Sequence, residues 1–324
     1  MPTPTVVVIG AGINGLVASH YLRRAGGQVT LLDRAERVGG ACLSAQATVD
    51  GHTQEYALGA SVLGLMPDFI WRDTGLADRL ETYVPGQAKR VYFPTAGASA
   101  LIHRDPTALA HEFRHRWGER GDVAGFRADE ARVVGFLQEG YRTARPPNVA
   151  DAVGRLGPAL TRLWITGSAA DLVDHYFTSD YAKIYLAMTV TESGPVSLHE
   201  PYSAFTLPMM DSGSVFDGYY GFVKPGLWRV TEELAAINQE LGVDIRLGAL
   251  VDSVDPNRGL VHYRTGGHDQ TASFDHLVMA TDPLAAARIV GDGPTTALVE
   301  GKRFLGSSGK LNLFFRQPAR WKND

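Results

Sequence analysis

The sequence predicts an α/β fold in which a parallel sheet begins the chain, is interrupted by a helix-rich insertion, and resumes afterwards. Three observations predict it. An apolar run, Val6-Val7-Val8-Ile9, feeds a glycine-spaced turn, Gly10-Ala11-Gly12-Ile13-Asn14-Gly15, with an amphipathic helix behind it. Helical periodicity then dominates from about Asp122 to Tyr185, and short β-rich stretches return between Val243 and Ala280.

Each element follows from its residues. Residues 6–9 read as a buried parallel strand, because a continuous β-branched run suits a sheet covered on both faces. A helix from about Asn14 to Ala25 sets Leu16, Val17, Tyr21 and Leu22 against Arg23 and Arg24, and Gly26-Gly27 stops it. Val29 to Leu32 is the second strand, completing a β-α-β unit of about 30 residues. Gln46, Thr48 and Val49 point to a short strand pair, and Pro67 to Leu80 reads as helical. Asp105-Pro106 is an N-cap followed by proline at the first helical position, opening a helix to about Trp117.

In the helical block, Phe126, Val133, Val134, Leu137 and Tyr141 mark one face. Leu160, Leu163 and Trp164 mark a second, and Leu172, Val173, Tyr176 and Phe177 a third, with breaks at Pro146-Pro147 and Gly157-Pro158. The sheet then resumes. A helix from about Arg229 to Leu241 precedes a strand at Val243-Asp244-Ile245, an extended segment from Ala249 to Val254, and a turn at Asn257-Arg258-Gly259 into Leu260-Val261-His262-Tyr263. Phe274 to Ala280 is the last strand of this region, and a helix begins at Thr281-Asp282-Pro283. The expected division is 1–105 and 226–300 for a discontinuous nucleotide-binding domain, 106–225 for a substrate domain, and 301–324 for the start of a return into it.

Composition narrows the function. At 324 residues the chain can bury a sizeable core, and 44% hydrophobic with 20% charged residues is ordinary globular composition. A formal net charge of -4 supplies no global basic field, which argues against nucleic acid as the main partner. Arg114, His115, Arg116 and Arg120 read as the solvated face of a helix. Cys42 is the only cysteine, so an intramolecular disulfide, a two-cysteine redox pair and a multi-thiolate zinc site are excluded. Met1 to Thr5 show neither a basic start nor an apolar signal region, and a cytoplasmic location is expected. No apolar stretch approaches the roughly 20 residues of a membrane-crossing helix.

The chemistry lies in the first 40 residues. Gly10 permits a sharp turn, Gly12 lets backbone approach a pyrophosphate, and Gly15 lets the helix pack on the sheet. The helix start at Ile13 and Asn14 then offers unpaired N–H groups and a partial positive charge to phosphates. Asp33 closes the second strand, placed to accept hydrogen bonds from a ribose diol. Strand, glycine triplet, helix, strand and acid in that order predict a dinucleotide site.

The run Asp33-Arg34-Ala35-Glu36-Arg37-Val38-Gly39-Gly40-Ala41 resembles the acid-then-Gly-Gly extension of FAD-dependent oxidoreductases of the amine oxidase and phytoene desaturase superfamily. The resemblance implies FAD, with the glycine pair bringing a second backbone segment to the pyrophosphate. Tyr56-Ala57-Leu58-Gly59-Ala60-Ser61 is similar to the small-residue segment near the flavin ring. Val251 matches the position that offers backbone to the adenine, and Ala280-Thr281-Asp282-Pro283 the family's Ala-Asp-Pro turn. Gly167 to Leu172, Tyr176 to Ser179 and Gly309 to Leu313 resemble the branch containing pyridine nucleotide-disulfide oxidoreductase domain-containing protein 2. There are departures from the pattern. Ala41 stands where the superfamily often has arginine, which leaves phosphate neutralisation to Arg34, Arg37 or the helix end, and Lys224-Pro225-Gly226-Leu227-Trp228 replaces a glycine-rich turn.

What the resemblance implies is a flavin-dependent oxidoreductase that moves hydride from a substrate C–H to flavin N5, with a lipophilic or conjugated organic substrate. Two alternatives stand beside it: a flavin-dependent isomerase, and a non-catalytic scaffold of the GDP-dissociation-inhibitor type. Family chains continue past the Lys310-Leu311-Asn312-Leu313 segment, whereas this sequence stops at Asp324. A second subunit supplying the rest is therefore expected, with a fragment as the other reading. No catalytic base has motif support. Cys42 reads as a small buried hydrophobe, His111 and His115 lack a third metal ligand, and Tyr219, Tyr220 and Trp228 read as core aromatics. Lys310 is either a surface lysine or one reaching toward flavin or substrate.

Overall fold

The computed structural model describes residues 2–85, 89–143, 145–146, 148–192, 196–216, 221–302 and 309–317. Strand β1 (Thr5–Ile9), helix α1 (Ile13–Arg24) and strand β2 (Gln28–Leu32) follow the pattern of the sequence, with β1 and β2 parallel. The hairpin β3 (Ser44–Val49) and β4 (His52–Ala57) turns through Asp50 and Gly51, both at positive φ, as a two-residue hairpin turn requires. The helix expected over Pro67–Leu80 is instead split. Helix α2 (Asp68–Asp73) ends where Gly75 takes φ +82, and one 3₁₀ turn follows at Leu76–Asp78. Three short strands, β5 (Thr82–Tyr83), β6 (Arg90–Phe93) and β7 (Ala98–Leu101), had no clear alternation to reveal them; β6 and β7 pair as a hairpin.

The helical block comprises α3 (Pro106–Trp117), α4 (Val123–Thr143), α5 (Val149–Leu156), α6 (Pro158–Thr161), a π-helical turn (Arg162–Thr166), α7 (Ala169–Tyr176), α8 (Asp180–Glu192) and α9 (Thr206–Ser212). Asp105 caps α3 by accepting from the Ala108 N–H at 2.7 Å, and Ser168 caps α7 by accepting from the Asp171 N–H at 3.1 Å. The block has its own core, in which Phe113, Phe126, Leu137, Trp164 and Leu172 are fully buried. Within it the Trp164 indole donates to the Tyr176 hydroxyl, which donates to Asp129, so both buried polar ends are satisfied.

Glu119 ties the block together. Its side chain is buried between the α3–α4 and α7–α8 connections and accepts from the N–H groups of Arg120, Gly121, Thr178 and Ser179 and from the Thr178 hydroxyl, at 2.6–3.0 Å. The Tyr176-Phe177-Thr178-Ser179 segment thus has a structural use. Burial pushes the Glu119 carboxyl up, and the N–H groups of Thr178, Gly121 and Ser179 outweigh it, holding the group below the usual range.

Strand β8 (Phe222–Val223) pairs with β5, after which the chain rejoins the first sheet. Helix α10 (Trp228–Glu240) leads to β9 (Asp244–Arg246), β10 (Leu250–Asp255), β11 (Leu260–Thr265), β12 (His268–Ser273) and β13 (His276–Met279). Helices α11 (Pro283–Val290) and α12 (Gly293–Gly301) follow. The central sheet has the order β13-β1-β2-β9 with every pair parallel, and β10-β11-β12 form a separate antiparallel sheet. Alternation along β1 separates two cores. Val6 and Val8 pack with Leu16 of α1 and Leu234 of α10, whereas Val7 and Ile9 pack with Val251, Val261 and Tyr263 of the antiparallel layer. Asn238 of α10 locks the first face by donating to the Leu16 carbonyl of α1 at 2.9 Å. Among the described residues no helix is long and apolar enough to cross a membrane.

Candidate functional site

The glycine turn leaves β1 at the centre of the sheet. Gly10 holds φ +110, and a Cβ there would meet the Ala280 carbonyl oxygen at 2.7 Å. A Cβ on Gly15 would stand 1.8 Å from the Gly10 carbonyl oxygen, so the helix can seat on the turn only as glycine. The Gly39 N–H donates to the Ala11 carbonyl at 3.0 Å and lays the second glycine segment alongside the first. Gly12 and Gly40 then face each other: a Cβ on Gly40 would come within 3.0 Å of the Gly12 Cα, and one on Gly12 within 3.7 Å of the Gly40 Cα. Helix α1 starts at Ile13, so the N–H groups of Ile13, Asn14 and Gly15 lack partners inside the helix. Two bare backbones beside a helix start make a cradle that side chains would fill, and it suits a diphosphate.

Asp33 stands at the end of β2 beside this cradle. One carboxylate oxygen accepts from the Ala11 N–H at 2.6 Å and the other from the Ala35 N–H at 2.8 Å, so the acid also braces the turn. The Asp33 carbonyl accepts from the Ala249 N–H, which brings the start of β10 against it; Val251 follows in that strand with its side chain buried. Arg37 donates to the Ser44 carbonyl at 2.5 Å and closes the loop, while Arg34 is exposed.

The segment Tyr56 to Ser61 packs on the same loop. The Ala60 N–H donates to the Ala41 carbonyl at 2.9 Å, and a Cβ on Gly59 would reach that oxygen at 2.4 Å, so Gly59, Ala60 and Ser61 follow directly on the glycine pair. Lys310 lies outside any strand, and its ammonium donates to the carbonyls of Ala57 and Gly59 at 2.6 and 2.7 Å. Ala280 bonds to the Ile9 carbonyl beside Gly10. Asp282 caps α11, accepting from the Ala285 N–H at 3.0 Å. Cys42 is buried, and burial pushes its thiol up. His111 and His115 have their rings 4.1 Å apart on an exposed face, Trp228 is buried, and Tyr219 and Tyr220 lie outside the described residues.

Sequence reasoning missed the residues of a cavity of about 630 Å³ that opens next to this segment, between Val62 and Gly64 on one side and α4, α8 and α9 on the other. Its wall carries Arg127 and Glu130 of α4 and Asp211 of α9. Arg127 hydrogen-bonds Glu130 and lies 3.9 Å from Asp211. No short motif links residues on helices so far apart, so no signal in the sequence could have found them. Burial, and then the Glu130 charge, push the Asp211 carboxyl up to about 8 against the pull of Arg127. The folded state therefore holds a proton that the unfolded chain releases near 3.8, and this group's stabilisation falls as pH rises through about 8. Urea midpoints should decline from pH 5 to pH 9 in the wild type and decline less steeply in Asp211→Asn. Equal slopes would contradict a protonated Asp211.

The family model described as flavin containing amine oxidoreductase matches residues 13–324. The chain belongs to that family. An uncharacterized protein of Mycobacterium tuberculosis is 28% identical over 343 residues, covering 98% of this chain and 60% of the relative. A 4,4'-diapophytoene desaturase (4,4'-diaponeurosporene-forming) of Staphylococcus aureus is 26% identical over 264 residues, covering 77% of this chain and 49% of the relative. The chain thus spans about half to three fifths of the curated relatives it matches. Among solved structures, cyclohexylamine oxidase from Brevibacterium oxydans superposes with TM-score 0.51 at 19% identity, over 89% of this chain and 60% of that one. Putrescine oxidase bound to putrescine gives 0.53 at 21% identity, over 89% and 60%. These likenesses show the fold. The family is a flavin family, and its cofactor here is FAD.

Proposed function

We propose that this chain is the FAD-holding part of an oxidoreductase of the phytoene desaturase-like branch, acting on a C–H bond of a lipophilic organic substrate. The observation that carries the reading is the meeting of Gly12 and Gly40 backbones beside the N-terminus of α1, with Asp33 at the end of β2. The desaturase relative supports the branch. Gly12, Ile13, Asn14, Gly15 and Gly40 would hold the diphosphate through backbone, and Asp33 the ribose. Flavin N5, when bound, supplies the hydride acceptor. The chain's own part is to orient: Gly59, Ala60 and Ser61 would hold the ring end, and the adjoining cavity would take the substrate. Lys310 fixes the Ala57 and Gly59 carbonyls of that segment.

Gly12→Ala separates folding from cofactor binding. The added methyl meets its nearest neighbour at 3.7 Å, ordinary contact distance, yet it stands in the cradle. Expected are a wild-type circular dichroism spectrum and loss of the flavin absorption bands; full flavin content would remove the reading. Asp33→Ala should weaken FAD retention by about 1.5–3 kcal/mol, the usual worth of a hydrogen bond to a charged group.

We further propose that a second subunit covers the apolar residues Leu298, Leu311, Leu313 and Phe315, which are 58–78% exposed. Native mass measurement should find a tightly held partner chain; a stable monomer with full flavin occupancy would refute this.

A further inference from the structure

The cavity beside Val62 and Gly64 is apolar over most of its wall, through Val62, Val134, Leu186, Leu207, Met210 and Phe222. One patch is not. Asp211 and Glu130 bring two carboxyls together with a single guanidinium, Arg127, on two helices packed against each other. Arg127 compensates one negative charge. Burial and the Glu130 charge push the Asp211 carboxyl up, and both side chains stand on the cavity wall, where carboxyl oxygens are hydrogen-bond acceptors. A bare hydrocarbon filling this space would strip water from all three groups and return no hydrogen bond.

We propose that the cavity takes an amphiphile whose hydrogen-bond-donating head, a hydroxyl or an ammonium, sits on the carboxyl oxygens of Asp211 and Glu130 while its apolar body lies along the remaining wall. The inference deepens the oxidoreductase reading and rests on it for calling this ligand a substrate. It sets the ligand apart from an unsubstituted polyene. Lys89 and Arg104 border the same cavity at exposed positions, with the Lys89 ammonium 5.0 Å from the Tyr185 ring centroid. An acid-headed amphiphile would be drawn to the Lys89 ammonium instead, so the two head-group chemistries are opposed in one experiment.

The test is calorimetric titration of the full chain, with whatever FAD and partner it carries, using octylamine, 1-octanol and octanoate. Octylamine or 1-octanol should bind at least about tenfold more tightly than octanoate, and which of them binds tighter assigns the head as ammonium or hydroxyl. Asp211→Leu should abolish that preference. If that variant does not fold, Gly135→Leu serves: Gly135 lines the cavity, and a Cβ there meets nothing within 4 Å. It should fold and block all three probes. Octanoate binding as tightly as the others, or head-group preference surviving in Asp211→Leu or Gly135→Leu, would overturn the proposal. The visible spectrum of the same samples keeps the two readings apart. Head-group preference in a chain that never holds FAD would remove only the oxidoreductase reading, and flavin-replete protein without the preference would remove only this inference.

Discussion

Gly15→Ala is expected to destabilise the amino-terminal β-α-β unit by about 3 kcal/mol or more. The methyl would stand 1.8 Å from the Gly10 carbonyl oxygen and 3.2 Å from the Ala280 Cβ. The first neighbour is backbone in a turn already fixed by φ +110 at Gly10, so it cannot swing aside as a long side chain would. Relief requires α1 to lift from the sheet. That movement would part Leu16 from Val6 and Val8 and break the bond from Asn238 to the Leu16 carbonyl. Urea unfolding should show the loss, together with absent flavin. Gly135→Ala is the control, since nothing lies within 4 Å of its Cβ, and replacing a helix-interior glycine there should gain about 0.5–1 kcal/mol. Equal stability of Gly15→Ala and wild type would mean that helix and turn do not meet as described.

Glu119→Ala should cost the helical block about 3–5 kcal/mol, because the N–H groups of Gly121, Thr178 and Ser179 and the Thr178 hydroxyl would lose their acceptor, while the Arg120 N–H would keep only the Thr178 hydroxyl. Glu119→Gln is no rescue. Every partner of the carboxylate is a donor, and an amide presents an NH₂ to at least one of them. The pH dependence has a definite sign. The folded carboxyl titrates below its ordinary 4.5, so its stabilisation is present above that pH and is lost as pH falls further. Acid unfolding monitored by tryptophan fluorescence should show this loss in the wild type and less of it in Glu119→Gln. Asp211 works in the opposite direction, which makes the two carboxyls separable by pH alone.

The first 40 residues were legible because their signals are local. A β-branched run, glycines at fixed offsets and an acid at the next strand end constrain the chain within one β-α-β unit, and Gly10, Gly12, Gly15, Asp33, Gly39 and Gly40 converge in the structure. The caps at Asp105 and Asp282 were equally visible, since an acid before proline acts on N–H groups three residues away. The Ala-Asp-Pro turn resembles a cofactor contact, and what the structure adds is that the Asp282 carboxylate accepts a helix N–H. The helix expected over Pro67–Leu80 was overextended because apolar spacing continues past Gly75, while backbone conformation does not.

Within the first 40 residues the sequence alone determined where the two strands, the glycine turns and the helix start lie, and hence that two glycine backbones meet beside a helix start near the amino end. Only the tertiary structure decided how charges pair in the interior. Glu119 meets Thr178 across 59 positions, and Arg127 finds Asp211 on another helix. The physical reason is that backbone conformation is governed by neighbours in the chain, whereas desolvation and charge pairing depend on which elements face each other once packed.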